Sequence, residues 1–162
     1  MKRFWPVPNS YTKRVPRSGL RAFGAKRENS LRHSGVDIYA PNGSAVVAIE
    51  DGVVVKTGQF TGAPESPQWL KTYFMMIQSA NGKLIVYGET RKPKLRPRKR
   101  VQAGQIVGHI ARVRGIDVTG KGSNMLHLEV YKHGQRLPTD WRGKKPSRLL
   151  NASIILQSTR ER

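Results

Sequence analysis

Apolar residues between positions 35 and 132 fall in short clusters rather than along a helical stripe. The clusters GVDIYA, SAVVAIE, GVVVKTG, TYFMMIQ, KLIVYGE, QIVGHIARV and MLHLEVYK are rich in Val, Ile and aromatic residues, which suit a pleated surface, so each predicts a strand. Turn formers separate them: Pro41-Asn42-Gly43, Asp51-Gly52, Asn81-Gly82, Gly104 and the stretch from Gly120 to Asn124. Strands joined this way form hairpins, which predicts an all-β, antiparallel sheet. In MLHLEVYK, alternation puts Met125, His127, Glu129 and Tyr131 on one face and Leu126, Leu128 and Val130 on the other. His127 is therefore expected opposite an apolar core face. The one predicted helix lies near the end, from Leu149 to Leu156. Residues 1–30 show no sustained periodicity and either wrap the domain or remain mobile.

At 162 residues the chain fits one compact domain. Thirty Lys and Arg stand against ten Asp and Glu, a formal charge of +20, which implies a polyanionic partner or a crowded assembly. No cysteine is present, so disulfide scaffolds, thiolate zinc fingers and Cys nucleophiles are excluded, and any metal must be held by His and carboxylates. The apolar runs are strand-sized, too short for a membrane span, and the start MKRFWPVPNSYTKR offers no signal-peptide core before Pro6 and Pro8. The expectation is a soluble protein, or one delivered by other means.

Charge divides the chain. Residues 1–32 hold nine bases and one acid, residues 33–90 hold three bases and five acids, and residues 91–100 hold seven bases interrupted by Pro93 and Pro97. The prolines make that run an exposed, extended loop. Three parts are expected: a basic N-terminal arm (1–30), a β domain carrying the basic loop (31–135), and a basic C-terminal extension (136–162).

Four histidines exist, at 33, 109, 127 and 133. His33 and Asp37, four apart in HSGVD, precede a strand, and His127 sits on a late one. Two imidazoles and one carboxylate leave a fourth tetrahedral position open, as catalytic zinc requires. Read alone, a histidine beside glycine is more often structural. The ordered segments add to this set. Arg32-His33-Ser34-Gly35-Val36-Asp37-Ile38, Ala40-Pro41-Asn42-Gly43, Val46-Val47-Ala48, Asp51-Gly52-Val53-Val54, Val101-Gln102-Ala103-Gly104-Gln105-Ile106-Val107-Gly108 and Leu126-His127-Leu128-Glu129-Val130 together resemble the lysostaphin-type (LytM-like) zinc metallopeptidases, which cut peptide cross-links in peptidoglycan. The resemblance covers roughly residues 31–131. It implies a β-sandwich-like antiparallel sheet with an open groove, and zinc held by His33, Asp37 and His127.

Two positions depart from that pattern. Met125 stands where the family has the first His of His-x-His, and Glu89, in Tyr87-Gly88-Glu89-Thr90, stands where it has a His two residues after a Tyr. Glu is the general base towards water in other zinc hydrolases, so Glu89 either preserves catalysis with a new proton acceptor or marks a site that has decayed while keeping its metal. Glu129 shares a face with His127 and either orients it or lies on the surface. His109 reads as a packed or edge-strand residue, and His133 as turn chemistry. Trp69, Tyr73 and Phe74 either line a groove or belong to the core.

In the basic loop, Arg91, Lys92, Lys94, Arg96, Arg98, Lys99 and Arg100 are candidates for binding teichoic acid, lipopolysaccharide phosphates or nucleic acid through counterion release. Specific nucleic-acid recognition is disfavoured because no aromatic residue interleaves to stack bases. The function expected is a zinc metalloendopeptidase acting on peptidoglycan, in a phage tail or lysis setting at the bacterial wall. The alternative is a catalytically degenerate structural or binding component of a virion or envelope assembly, anchored by basic arms to other virion proteins, with a cytoplasmic location as the other setting.

Overall fold

The computed structural model describes residues 1–64, 69–113, 124–138 and 140–159. Its strands are β1 (Leu31–Arg32), β2 (Val36–Tyr39), β3 (Ala45–Val47), β4 (Gly52–Thr61), β5 (Thr72–Ser79) and β6 (Leu84–Thr90), followed by β7 (Arg100–Val101), β8 (Ile106–His109), β9 (Met125–Tyr131), β10 (Trp141–Arg142) and β11 (Leu149–Leu150). A short helix, α1 (Ser153–Gln157), follows. The main sheet runs β11-β9-β6-β5-β4-β7, with β2 also paired to β9, and all its pairings are antiparallel. The fold is thus nearly all-β, and each predicted apolar cluster contains a strand.

Alternation sorts the central strands onto two faces. Met75, Ile77, Ile85, Tyr87, Leu126, Leu128 and Val130 build the main core on one face. Phe74, Met76, Leu84, Val86 and Tyr131 build a second cluster on the other, with Trp141 and Leu149. His127 and Glu129 lie on this second face, Glu129 directly opposite Val86 of the cluster.

The N-terminal arm lies against the domain. Phe4, Trp5 and Val7 are buried, and backbone bonds run from Phe4 N to Ile49 O and from Val47 N to Pro6 O. The predicted helix is shorter than expected: Leu149 and Leu150 instead pair with Tyr131 and Val130. The reason is an open edge, since β2 covers β9 only from Met125 to Leu128 and leaves its last residues free to accept another strand. Helical turns start only after Asn151, whose side chain accepts a hydrogen bond from Ser153 N at 2.9 Å. Of the predicted Gly120 to Asn124 turn, residues 120–123 lie outside the described residues.

Candidate metal centre

In the β2–β9 pair, Asp37 is directly opposite His127. Side chains so placed on one face start within about 5.5 Å of each other at Cβ. His33 joins them from the turn before β2. That turn needs glycine: a Cβ on Gly35 would stand 2.4 Å from Leu128 O and 2.9 Å from His127 Nε2. The arm then locks His33, whose backbone N donates to Ala25 O and whose carbonyl accepts from Gly24 N.

The three side chains converge on one point. Asp37 Oδ1 lies 2.9 Å from His127 Nδ1 and 3.2 Å from His33 Nε2, and the two ring nitrogens are 3.2 Å apart. All three residues are buried. The outward ring nitrogens are also occupied: His33 Nδ1 meets Ala22 O at 2.9 Å, and His127 Nε2 meets Glu129 Oε1 at 3.0 Å. Each outer bond turns its imidazole so that the other nitrogen faces the shared point.

The donor set fits a zinc ion. Tetrahedral coordination at about 2.0–2.1 Å requires ligand atoms roughly 3.3 Å apart, close to the observed triangle. His33, Asp37 and His127 form a metal-capable group among the described residues.

Without a metal, the cluster is held by charge. Burial would raise the Asp37 carboxyl, but hydrogen bonds from His127 and His33 outweigh it and hold the group well below the usual carboxylate range. Burial opposes charging of His127, yet its bonds to Asp37 and Glu129 push the imidazole up to about 10. Burial likewise acts against ionised Glu129, while His127 and Arg136 bring it down to about 2.

Several residues of this site carried no sequence signal. Arg136, grouped by sequence with the C-terminal extension, lies 3.6 Å from Glu129 Oε1 and stacks over the rings of Phe60 and Phe74 at 4.7 and 5.1 Å. Phe60 in turn packs on His127, with ring centroids 5.2 Å apart. Arg27 Nη2 reaches the outer oxygen of Asp37 at 3.5 Å. The Phe60 and Phe74 contacts join segments far apart in the chain, and Arg27 and Arg136 reach their carboxylates from outside the strands that carry them, so strand alternation announces none of these contacts.

Glu89 reaches the same face by an irregularity. Tyr73 and Met75 of β5 pair with Thr90 and Tyr87, so Gly88 and Glu89 together oppose Phe74. This is a β-bulge, and Glu89 takes φ +60°, the left-handed region that non-glycine residues rarely enter. Strict alternation would have turned Glu89 to the Tyr87 side, into the main core. Instead Thr72, which alternates with Phe74 and Met76, donates from Oγ1 to Glu89 Oε2 at 2.7 Å. Burial raises the Glu89 carboxyl, and the Thr72 bond offsets part of that rise. Gly88, opposite His127, makes room for Phe60, since a Cβ there would meet its ring at 2.9 Å.

Met125 begins β9 opposite Tyr39, and its thioether supplies no N–H donor. His109 is exposed on β8, where the two-stranded β3–β8 sheet leaves it uncovered, and His133 is exposed in the turn after β9. Phe74 belongs to the second core cluster, and Trp69 and Tyr73 are half-buried. Every base of residues 91–100 is exposed. Among the described residues no helix is long and apolar enough to cross a membrane.

Residues 31–139 match the family model described as peptidase family M23. Over 144 residues the chain is 28% identical to the murein hydrolase activator EnvC of Escherichia coli (strain K12), spanning 87% of this chain but only 29% of that protein. Lysostaphin from Staphylococcus simulans superposes with a TM-score of 0.64 at 19% identity, covering 97% of this chain and 54% of that one. A zinc-containing peptidase from Vibrio cholerae gives 0.56 at 16% identity, covering 93% of this chain and 40% of that one. At these identities the two structural likenesses speak to fold alone.

Proposed function

Because the chain belongs to peptidase family M23, we propose that it is a zinc metalloendopeptidase that hydrolyses peptide bonds of peptidoglycan, with His33, Asp37 and His127 as the metal ligands and Glu89 as the general base. The observation that carries this reading is the buried triangle of three donor atoms, each histidine held by an outer hydrogen bond. His33, Asp37 and His127 would hold the zinc ion, which would supply Lewis acidity to polarise a carbonyl and make water more acidic.

The work of the protein groups follows from their chemistry. Ala22 O and Glu129 hold the two imidazoles in orientation, and Arg27 occupies the second oxygen of Asp37. Glu89 takes a proton from the attacking water as its oxygen bonds to the carbonyl carbon. It returns that proton to the amide nitrogen as the C–N bond breaks. A carboxyl raised by burial is a better base than an ordinary one, nearer the operating pH. Met125 leaves this site without the first imidazole of the family's His-x-His pair.

The test pairs zinc content with loss of turbidity of purified cell walls. Wild type should carry about one zinc per chain and clear the walls; His33→Ala and His127→Ala should lose the metal. Glu89→Gln should keep the zinc and lose about 10²- to 10⁴-fold in rate. Stoichiometric zinc in both His variants would overturn the ligand assignment. The EnvC relative and Met125 favour a second reading, a domain that activates another wall hydrolase. A zinc-loaded wild type that clears no wall yet accelerates a separate wall hydrolase would establish that reading instead.

A further inference from the structure

The basic run 91–100 plays no part in the metal centre, and its conformation is not that of a loose solvated loop. Both ends and the middle are strapped to the domain. Arg91 N donates to His109 O at 2.9 Å, Arg98 N donates to Val54 O at 2.7 Å, and Val54 N donates to Lys99 O at 2.9 Å. Leu95, the one large apolar residue of the run, packs against the main core. Arg100 then enters β7, on the edge of the main sheet. Arg98 has φ +74°, so the backbone holds a fixed turn there.

On this strapped backbone all seven bases are exposed, and none has an acidic partner among the described residues. Arg91 is tied by one neutral contact, Nη2 to Asn42 Oδ1 at 3.3 Å. Successive bases are one or two residues apart, hence at most about 7 Å along the chain. That is inside the screening length of about 8 Å at physiological salt, so their potentials add. A charged loop kept only for solubility gains nothing from being fixed. A rack of cations does, because the cost of ordering its backbone is already met before a ligand arrives.

We propose that residues 91–100 form a preorganised binding site for a flexible phosphodiester polymer without bases, of the poly(glycerol phosphate) kind. Phosphate suits the site because Arg makes forked, charge-assisted hydrogen bonds to it. A base-free chain suits it because the loop has no aromatic residue on which bases could stack. The site goes beyond the peptidase reading and does not depend on it, since the ligand is held by charge outside the metal centre.

The test measures binding of fluorescently labelled poly(glycerol phosphate) to the full chain between 50 and 200 mM salt. If all seven bases engage, affinity should fall by roughly a thousandfold over that range, a log–log slope near −5 for a single-stranded polyanion. Replacing Arg96, Arg98, Lys99 and Arg100 with Gln should reduce the slope by about 3, with zinc content and melting temperature checked to report folding. A charge-matched control replaces Lys2, Lys13, Arg14 and Arg17 with Gln and should leave most of the slope. Equal loss in both variants would overturn the proposal, because the charge would then act diffusely. So would an unchanged slope in the loop variant. Tighter binding of oligo-dT than of poly(glycerol phosphate) of equal charge would overturn it in favour of nucleic acid.

Discussion

Thr72 Oγ1 donates to Glu89 Oε2 at 2.7 Å across neighbouring strands, and this bond keeps the carboxylate on the face that carries His127. The bond also sets how readily Glu89 ionises, because it opposes the rise that burial causes. Thr72→Val removes the donor at nearly constant shape and leaves, among the described residues, the 3.4 Å contact from Thr61. A hydrogen bond to a charged group contributes about 1.5–3 kcal/mol, so the acid limb of the pH–rate profile should move up by roughly one to two pH units. Zinc content should not change. A limb that stays in place would separate Glu89 from the rate.

Glu129→Gln should weaken zinc binding by about 10- to 100-fold, the usual effect of losing an outer partner of a ligating histidine. The amide keeps an acceptor near His127 Nε2 but loses the charge that Arg136 pairs with. Competition against a chelator of known affinity measures this directly. Retained affinity would mean that the hydrogen bond, rather than the charge, orients the ring.

The metal-free protein should be most stable between about pH 4.5 and 6.5. His127 has its folded value raised from 6.5 to about 10, so its contribution is complete below 6.5 and lost as pH rises towards 10. Glu129 has its folded value lowered from 4.5 to about 2, so its contribution is complete above 4.5 and lost as pH falls towards 2. Denaturant midpoints across pH 2–11, with chelator present, test both limbs. Because His127 is protonated near neutrality in the metal-free state, zinc uptake should also release a proton, which calorimetry in buffers of different ionisation enthalpy detects.

Gly35→Ala should damage fold and site together. Its Cβ would fall 2.4 Å from the Leu128 carbonyl, a backbone atom that cannot swing aside, and 2.9 Å from the His127 ring. Overpacking of this kind costs about 1–3 kcal/mol or more, and His33 and Asp37 flank the displaced turn. Thermal melting and zinc content should both drop. Wild-type values for both would mean that the β2–β9 pair can spread without cost.

The chain itself determined the antiparallel strands, because alternating Val, Ile and Leu bury one face only when the backbone is extended. It also determined that His127 and Glu129 share a face, since a period of two is a local property. His33 and Asp37 as partners of His127 were suggested by residue type and singled out by a family pattern; nothing local brings Asp37 and His127 into one pair. Tertiary structure decided the rest. The bulge that turns Glu89 away from the core depends on how β5 and β6 register, and the alternation rule taken alone puts it on the wrong side. Ala22 holds His33, and Arg136 pairs with the Glu129 that holds His127, both from segments that sequence assigned to the basic arm and extension, because chain folding rather than strand alternation brings them to the site. The predicted helix from Leu149 shortened for the same kind of reason. Its first two residues met an unpaired edge of β9, and a strand that satisfies backbone hydrogen bonds there outcompetes a helical turn that short.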